Sequence, residues 1–307
     1  MSYQNSSIVK SLAQEAGFLL VGIARAERLD EQAMRLQEWL DRGYHGTMHW
    51  MANHFDKRVD PTQLVPGAKS VICLASNYYP ERNQTHEDAP KVARYAYGQD
   101  YHRVLKVQLK SLLESIRQHC GPVHGRCFVD SAPVLERDWA QRAGLGWVGK
   151  NTLLIHPRIG SYFFLAELII DLELEPDEPI RDHCGTCRKC IDACPTGAIG
   201  SEGYVLDAGK CISYLTIELK EEAIPDSFQS QMENWVFGCD ICQEVCPWNR
   251  FSRPHDEPAF APRGDWFHWR SADWMEMTEE LFEQQFQGSP LQRPKYAGIR
   301  RNLKTIQ

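Results

Sequence analysis

The sequence lacks the features of an exported or membrane-spanning protein. Its first residues do not form a charged segment followed by an apolar one, which is the pattern of a signal peptide. No run approaches the roughly 18 to 20 apolar residues that a membrane span needs. The longest apolar stretch, residues 162–170, has the length of a strand and contains Glu167. These absences predict a cytoplasmic protein that does not associate with a membrane.

Positive charge and nucleotide-binding glycines are scarce as well. The chain carries 34 Lys and Arg against 41 Asp and Glu, and its net charge of −7 argues against a generic nucleic-acid binder. The G-x-G-x-x-G pattern at 144–149 follows a predicted helix and precedes a predicted strand, which is the wrong order for a dinucleotide site. The segment 293–307 is locally basic, and its charge suits either a binding face or a solvated tail.

Cysteine, in contrast, is abundant, and eight of the 11 cysteines lie between positions 184 and 246. The first run, CGTCRKCIDACP, has the C-x2-C-x2-C-x3-C-P spacing of bacterial two-cluster ferredoxins. The second run, CDICQEVCP, repeats the end of that motif, with its opening cysteine displaced upstream to Cys211. The spacing therefore predicts two [4Fe-4S] clusters.

The expected ligand sets follow from the rule that the fourth cysteine of each run binds the other cluster. One cluster is expected on Cys184, Cys187, Cys190 and Cys246, and the other on Cys194, Cys211, Cys239 and Cys242. Zinc and disulfides are the alternatives. Zinc is normally bound by two C-x2-C pairs, and a reducing cytoplasm disfavours disulfides.

Helical and strand patterns alternate irregularly along the rest of the chain. Apolar periodicity predicts helices at 6–16, 30–42 and 102–119, and strands at 70–75, 92–97 and 162–170. Without strict βαβ alternation, an α+β fold with a mixed or antiparallel sheet is favoured over a Rossmann fold.

Three parts are expected along the chain. Residues 1–175 form a larger first domain, and an acidic, proline-containing segment links it to a cluster domain at 176–255. Residues 256–307 form a C-terminal extension that packs on the core and ends in a basic tail.

Asp130 begins the most conspicuous stretch without cysteine, residues 130–156. It follows a predicted strand at 126–129 and precedes a predicted helix at 131–142, with Ser131 as the helix cap. A carboxylate at such a junction either projects into a cleft or caps the helix itself. The pattern leaves both roles open.

Several segments together closely resemble the epoxyqueuosine reductase family. Residues 130–169 and the three cysteine-containing segments carry most of the resemblance, which extends to about Asn302. The matching segments are HGTMHWM at 45–51, KRVDP at 57–61, GQDYH at 98–102, 130–169, 184–199, KCISYLTIELK at 210–220 and 238–249.

The resemblance implies a reaction and an architecture. Members of the family reduce the epoxide of epoxyqueuosine at the tRNA wobble position, using cobalamin that receives electrons from two clusters. A nitroreductase-like α+β domain would hold the cobalamin against a ferredoxin-like domain, with Asp130 as the proton donor above the cobalt. An acid that protonates the opening epoxide raises the rate by about 10²–10⁴-fold. It must be protonated near neutral pH, which predicts an apolar, partly desolvated pocket around Asp130.

Further cobalamin contacts are implied by the same resemblance. The full set is Arg58, Tyr97, Asp130, Lys150, Asn151, Ser213, Gly238 and Asp240. Simpler roles stay open for several of these residues. Tyr97 suits core packing, Arg58 suits an ion pair with Asp56 or Asp60, and Lys150 with Asn151 suits an ordinary exposed turn after the glycines.

The resemblance also implies a tRNA partner, an external low-potential electron donor and a monomer. The candidate tRNA contacts are Lys220, Arg293, Lys295, Arg300, Arg301 and Lys304. Phosphate contacts would position the anticodon arm, and the modified base would leave its stack to react. Residues 212–218 are expected to cover the cofactor and help present the substrate. Many members continue into a helical-repeat module, for which the chain leaves no room after Asn302.

Two other functions compete with this prediction. A related corrinoid iron–sulfur reductase acting on a small molecule would share the architecture, but such enzymes generally use a tyrosine donor and carry an export signal. A plain electron carrier would need only the cluster domain. The first 175 residues, with their own specific motif, are too large for that role alone.

Overall fold

A four-stranded antiparallel sheet is the central layer of the first part of the chain in the computed structural model, which describes residues 2–306. The strands in chain order are β1 (Leu20–Arg25), β2 (Ser70–Asn77), β3 (Lys91–Val92), β4 (Gly125–Phe128), β5 (Trp147–Val148), β6 (Leu154–Ile155), β7 (Phe163–Ile170) and β8 (Trp235–Phe237). The sheet order is β1-β2-β7-β4, and every pairing within it is antiparallel. This agrees with the predicted α+β class and excludes a Rossmann sheet.

Helices cover both faces of this sheet and link it to the later parts of the chain. They are α1 (Ser2–Glu15), α2 (Asp30–Asp41), α3 (Phe55–Val59), α4 (Pro61–Leu64), α5 (Tyr101–Cys120), α6 (Glu136–Arg142), α7 (Lys189–Asp192), α8 (Ile212–Ile217), α9 (Asp226–Gln229), α10 (Ile241–Glu244), α11 (Ser271–Glu276), α12 (Glu279–Phe286) and α13 (Lys295–Thr305). Within residues 2–306, no helix is long and apolar enough to cross a bilayer.

The two central strands, β2 and β7, are apolar along almost their whole length because both of their faces are covered. Ile72 and Leu74 point towards α1 and α5, whereas Val71 and Cys73 point towards α6. The alternation follows from the two-residue period of a strand. Burying both faces explains why the sequence pattern here is a continuous apolar run rather than an alternating one.

The cysteine-rich part is tied to the first part by backbone and side-chain hydrogen bonds. β3 pairs in parallel with β8, which lies far along the chain beside the second cysteine run. The Trp39 indole donates to the Leu206 carbonyl at 2.7 Å, and the Thr47 amide donates to the Tyr214 hydroxyl at 2.8 Å. The 45–51 segment therefore packs on α8. The division of the chain at 175 and 255 stays a prediction.

The C-terminal residues form an aromatic-rich layer on β8. Phe282, Phe286, Ile299 and Leu303 pack with Val236 and other buried residues in one apolar cluster. The fully buried Asn302 donates to the carbonyls of Thr216 and Val236 at 2.8 and 2.9 Å. These contacts order a helix, α13, in a segment whose sequence shows only a narrow apolar stripe among cations.

Two local predictions are wrong. Residues 92–97 do not form one strand, because β3 ends at Val92 and a 3-10 turn covers Arg94–Ala96. The helix predicted at 131–142 begins only at Glu136, and Ser131 does not cap it. Asp130 has a φ of 45°, and this left-handed residue turns the chain before a helix can start.

Candidate functional site

The four cysteines of the first predicted ligand set line one cavity of about 200 Å³. They are Cys184, Cys187, Cys190 and Cys246. Burial raises the pKa of Cys190 to about 11, and the charges of Cys184 and Cys246 add to the shift. The Trp147 indole donates to the Cys184 sulfur at 3.5 Å. The structure therefore brings this set together, although Cys246 lies 62 positions after Cys184 in the chain.

The second predicted ligand set lies more deeply in the molecule. Burial raises the pKa of Cys242 and of Cys239, and in each case a neighbouring thiol of the same set raises it further. Cys194 acts in the same way on Cys211. Among residues 2–306, no three His, Cys, Asp or Glu side chains converge as the ligands of one metal ion do. The charge of Cys190, from the first set, also raises the pKa of Cys242, so the two sets are neighbours.

Lys150 and Asn151 hold the cluster segments in place. The Lys150 amine donates to the carbonyls of Gly185 and Cys187 at 2.7 and 3.0 Å. Asn151 is only 4% exposed, and its amide donates to the Cys242 carbonyl at 3.4 Å. The interpretation as an ordinary exposed turn is therefore wrong for Asn151. A cobalamin contact from either residue stays a prediction.

Asp130 lies in the turn 129–135 between β4 and α6, hereafter the Asp130 loop. The Tyr101 hydroxyl donates to Asp130 Oδ2 at 2.5 Å, and His102 Nε2 lies 3.7 Å from the same oxygen. The N-cap residue of α6 is Leu135, and the Asp130 backbone amide donates to Glu136 Oε1 at 2.5 Å. Asp130 is thus not a helix cap.

The surroundings of Asp130 differ from the predicted apolar pocket. Its side chain is 59% exposed, so the protein residues alone leave the carboxylate largely in water. Desolvation affects the groups behind it instead. Burial raises the pKa of Tyr101, and the Asp130 charge raises it further, which keeps the phenol protonated as a donor. Tyr101 is fixed by stacking on Phe164, with ring centroids 4.2 Å apart.

Tyr101 and His102 are site residues that the sequence interpretation did not name. Both belong to the GQDYH segment, but nothing in its spacing places them beside Asp130, 29 positions away. The available signal was Asp100, which caps α5 and also accepts from His102 Nδ1 at 2.7 Å. A capped helix start fixes the direction of the next two side chains, and the sheet then delivers Asp130 to them.

Arg58 is buried without a carboxylate partner among residues 2–306. It is 6% exposed, and its Nη2 donates to the Trp50 carbonyl at 3.1 Å. Its Nε finds no acceptor within the described chain. Asp60 instead caps α4 through Thr62, so the ion pair considered from the sequence is not formed. A buried, unneutralised guanidinium is suited to an anionic ligand.

Tyr97 and Asp240 are fully occupied by protein partners. Tyr97 is 5% exposed and packs edge-on to Phe267 with ring centroids 5.1 Å apart, which favours core packing. The Asp240 carboxylate accepts from both the amide and the guanidinium of Arg94, at 2.9 and 3.1 Å. Burial raises the pKa of Asp240 to about 6 in spite of the Arg94 charge. Asp240 is thus half of a buried ion pair.

Ser213 and Gly238 lie where the cysteine-rich part meets the first part. Ser213 is half-buried in α8, two positions after Cys211. The Gly238 amide donates to the Thr216 hydroxyl at 2.9 Å, and its φ is 67°. A Cβ at Gly238 would lie 2.5 Å from the Cβ of Ala93, so glycine is required there by close packing.

The six candidate tRNA residues divide into two groups. Arg300 and Arg301 are half-buried and donate to carbonyls, Arg300 to Met275 and Arg301 to Leu215, Leu219 and Glu221. They stabilise the fold. The exposed members are Lys220, Arg293, Lys295 and Lys304. Arg293 is bidentate to Glu218 at 3.1 and 3.2 Å, and the Asp130 charge also acts to raise the pKa of Arg293.

An α+β domain followed by a double-cluster domain defines a class of iron–sulfur oxidoreductase. Residues 183–249 match the family model of the 4Fe-4S double cluster binding domain, and residues 58–131 match the model described as epoxyqueuosine reductase QueG, DUF1730. The epoxyqueuosine reductase of Cyclobacterium marinum is 56% identical over 305 residues, covering 99% of this chain and 97% of the relative. That of Salmonella typhimurium is 47% identical, covering 88% and 73%. The chain belongs to the epoxyqueuosine reductase family.

Solved structures agree with this assignment. A Bacillus subtilis epoxyqueuosine reductase, crystallised with its catalytic aspartate loop swung out of the active site, has a TM-score of 0.88 and 32% identity, with 100% of this chain and 82% of that one covered. Another epoxyqueuosine reductase, crystallised with an epoxyqueuosine-modified tRNA-Tyr stem loop, has a TM-score of 0.88 and 32% identity, covering 100% and 81%. The predicted fold class and the predicted enzyme family are therefore confirmed.

Proposed function

We propose that this protein reduces epoxyqueuosine to queuosine at the wobble position of tRNA, using cobalamin and two [4Fe-4S] clusters. The observation that carries the proposal is the exposed Asp130 carboxyl, which accepts from the Tyr101 hydroxyl and interacts with the charge of Arg293. Conversion of the epoxide to an alkene and water consumes two electrons and two protons. Asp130 donates one proton to the oxygen as the ring opens, and Tyr101 orients the carboxyl by its hydrogen bond.

The residues at the interface of the two domains suit a bound cobalamin. Arg58 supplies a buried cation whose Nε is unpaired within the described residues, as an anionic group of the cofactor requires. Ser213 and the backbone at Gly238 approach from the cysteine-rich part, with Lys150 and Asn151 at the edge of the first cavity. Bound cobalamin supplies a strongly reducing cobalt. We leave Tyr97 and Asp240 out of the proposed contacts because protein partners occupy them.

The cluster ligands are proposed as predicted from the spacing. One set is Cys184, Cys187, Cys190 and Cys246, and the other is Cys194, Cys211, Cys239 and Cys242. Lys150, Lys189 and Arg250 line the first cavity, and none of its described lining residues is acidic. This charge supports electron entry at the first cluster from an acidic, low-potential external donor. The second cluster would then pass electrons inwards.

The anticodon arm is proposed to lie across the exposed cations. Four of the candidates are exposed: Lys220, Arg293, Lys295 and Lys304. Arg293 pairs with Glu218, whereas Arg300 and Arg301 donate to backbone carbonyls of the fold. The relative crystallised with a tRNA stem loop supports the same class of substrate. Residues 212–218 are proposed to help present the substrate. The Tyr214 hydroxyl of this segment accepts a hydrogen bond from the Thr47 amide of the 45–51 segment, which holds the two segments together. A small-molecule substrate, the alternative considered from sequence, is not favoured by the family membership. A tRNA substrate also suits a cytoplasmic monomer.

One experiment tests the whole proposal. The clusters are reconstituted without oxygen, cobalamin is added, and epoxyqueuosine-tRNA is converted while the nucleosides are followed by mass spectrometry. We expect queuosine only when cobalamin and reductant are both present. Equal turnover without cobalamin would refute the cofactor, and cobalamin-dependent turnover of a small-molecule substrate but not of tRNA would refute the substrate.

A further inference from the structure

A half-buried glutamate, Glu136, and a fully buried one, Glu167, lie behind Asp130. Glu136 begins α6, and its Oε1 accepts the Asp130 amide at 2.5 Å. Glu167 stands in the middle of β7, opposite Cys73 and Phe128 in the sheet, and is 0% exposed. Within residues 2–306, neither side-chain oxygen of Glu167 has a hydrogen-bond partner. A proton on one of the two carboxyls would provide a donor.

The charges around this Glu136–Glu167 pair favour such a shared proton. Burial raises the pKa of Glu136 to about 8, and the Asp130 charge adds to it; burial and then Glu136 raise the pKa of Glu167. The other titratable or charged groups facing the pair are Asp130, Tyr101, Cys73 and Arg137. Of these only Arg137 is cationic, and it donates to the Thr152 carbonyl at 2.9 Å. Two interacting carboxyls, one of them fully buried, cannot both ionise near neutral pH without a large free-energy penalty.

The Asp130 loop needs an external constraint to keep its conformation. Asp130 has a φ of 45°, a left-handed backbone that costs free energy for any residue with a Cβ. Its side chain is mostly exposed, so packing does not hold it. The hydrogen bond from the Asp130 backbone amide to Glu136 is therefore the backbone contact that fixes the direction in which the carboxyl projects.

We propose that the proton-sharing Glu136–Glu167 pair is a positioning device that holds the Asp130 loop closed and releases it when the pair ionises. With one proton present, the two carboxyls bond each other and Glu136 Oε1 stays in place for the Asp130 amide. With the proton lost, repulsion drives Glu136 away from Glu167 and the loop opens. The value of this closed state for catalysis rests on the proposed function of Asp130 as proton donor.

The test measures the loop itself, without turnover. Amide hydrogen exchange of the peptide that contains Asp130 is compared at about pH 6.5 and about pH 9, after correction for intrinsic exchange. In the cluster-loaded wild type, we expect the peptide to be protected at the lower pH and its protection factor to be roughly tenfold smaller at the higher pH. Glu136→Gln keeps a carbonyl acceptor without the charge, so its protection should not change with pH. Glu136→Ala should be unprotected at both values.

Further variants distinguish the proposed positioning device, hereafter the latch, from general destabilisation of the fold. Glu167→Gln donates an amide N–H to Glu136 and should stay protected at the higher pH. Glu114→Gln, an exposed substitution on α5, should behave as wild type. Infrared difference spectra should show a protonated-carboxyl band that the double variant Glu136→Gln with Glu167→Gln abolishes. Because a folded chain keeps this proton up to about pH 8 against an ordinary value of 4.5, wild-type stability should fall across that window relative to both Gln variants.

The outcomes decide between the alternatives. Equal pH dependence in wild type and Glu136→Gln, or full protection in Glu136→Ala, would overturn the latch. If the latch is confirmed while Asp130→Ala still turns over normally, the proton-donor assignment is what fails. A functional latch also predicts that Glu136→Ala lowers kcat about tenfold with little change in KM for tRNA.

Discussion

The first cysteine cavity and the Asp130 site differ in how their residues are arranged along the chain. Three of the four cavity cysteines lie within seven positions, and their spacing alone identifies the chemistry. The Asp130 site is formed by α5, the turn after β4, α6 and β7. The charge of Asp130 also acts on Arg293, which belongs to the C-terminal extension. Short-range ligands tolerate an irregular backbone, whereas a general acid needs a rigid sheet and helices to position it.

The largest loss of turnover should follow from substituting a cysteine of the first cavity. Cys190→Ala removes one of four thiolates that must hold a cluster, so we expect the iron content to fall by up to half and turnover to disappear. Cys120→Ser, at the end of α5 and outside both sets, is the matched control and should keep full iron content. Iron and sulfide analysis with electron paramagnetic resonance measures both. Full iron content in Cys190→Ala would remove this cysteine from the proposed set.

The next effect concerns the acid and should leave the clusters intact. Asp130→Asn keeps the size of the side chain but removes the transferable proton, and we expect turnover to fall by about 10²–10⁴-fold. Tyr101→Phe removes only the orienting hydroxyl and should cost roughly tenfold. Single-turnover assays with matched iron and cobalamin contents measure the difference. An Asp130→Asn enzyme with normal turnover would transfer the acid role to another group.

Arg58 belongs neither to the cysteine cavity nor to the Asp130 site, so it tests cofactor binding separately from both. Arg58→Met removes a buried cation, so we expect cobalamin affinity to fall by about ten- to a hundredfold. In the absence of cofactor the same change should leave Tm unchanged or higher, since a charge without an ionic partner no longer has to be buried. Arg28→Gln, at an exposed ion pair, is the control. Unchanged cobalamin affinity in Arg58→Met would contradict the contact.

A smaller effect is expected at the rim of the cavity. The double variant Lys189→Gln with Arg250→Gln should slow cluster reduction by an acidic carrier protein by roughly fivefold to tenfold and weaken its salt dependence. Reduction by a small chemical reductant should stay the same, because it does not rely on docking. Stopped-flow absorbance measures both rates. Equal slowing with both reductants would indicate damage to the cluster rather than loss of a docking surface.

The smallest effect is expected among the tail cations. Arg293→Gln should weaken tRNA binding by only a few-fold and reduce the salt slope of binding by about one. Arg301→Gln should instead lower Tm, because Arg301 donates to three carbonyls of the 215–221 segment. Titrations over a range of salt concentrations, with melting curves, distinguish the two. Salt-independent tRNA affinity would contradict a basic docking face.

Much of the fold was predictable where long apolar patterns dominate. Helix α5, with its buried Leu105, Leu109 and Ile116, and strands β2 and β7 lie within a few residues of their predicted bounds. The turn at Asp130 was not predictable, because its left-handed φ is imposed by bonds to Glu136 and the sheet. Propensity favours a helix from Ser131, and tertiary contacts override it.

Residue types at fixed spacing are enough to predict the iron–sulfur clusters and the family, and the family resemblance in turn implies Asp130 as the proposed acid. Which groups surround Asp130 follows only from the folded chain. Glu167 and Tyr101 are ordinary members of an apolar strand and a helix start until the sheet brings them to Asp130. Burial then changes their chemistry, because the free energy of a charge depends on the solvent and partners around it and not on its neighbours in the chain.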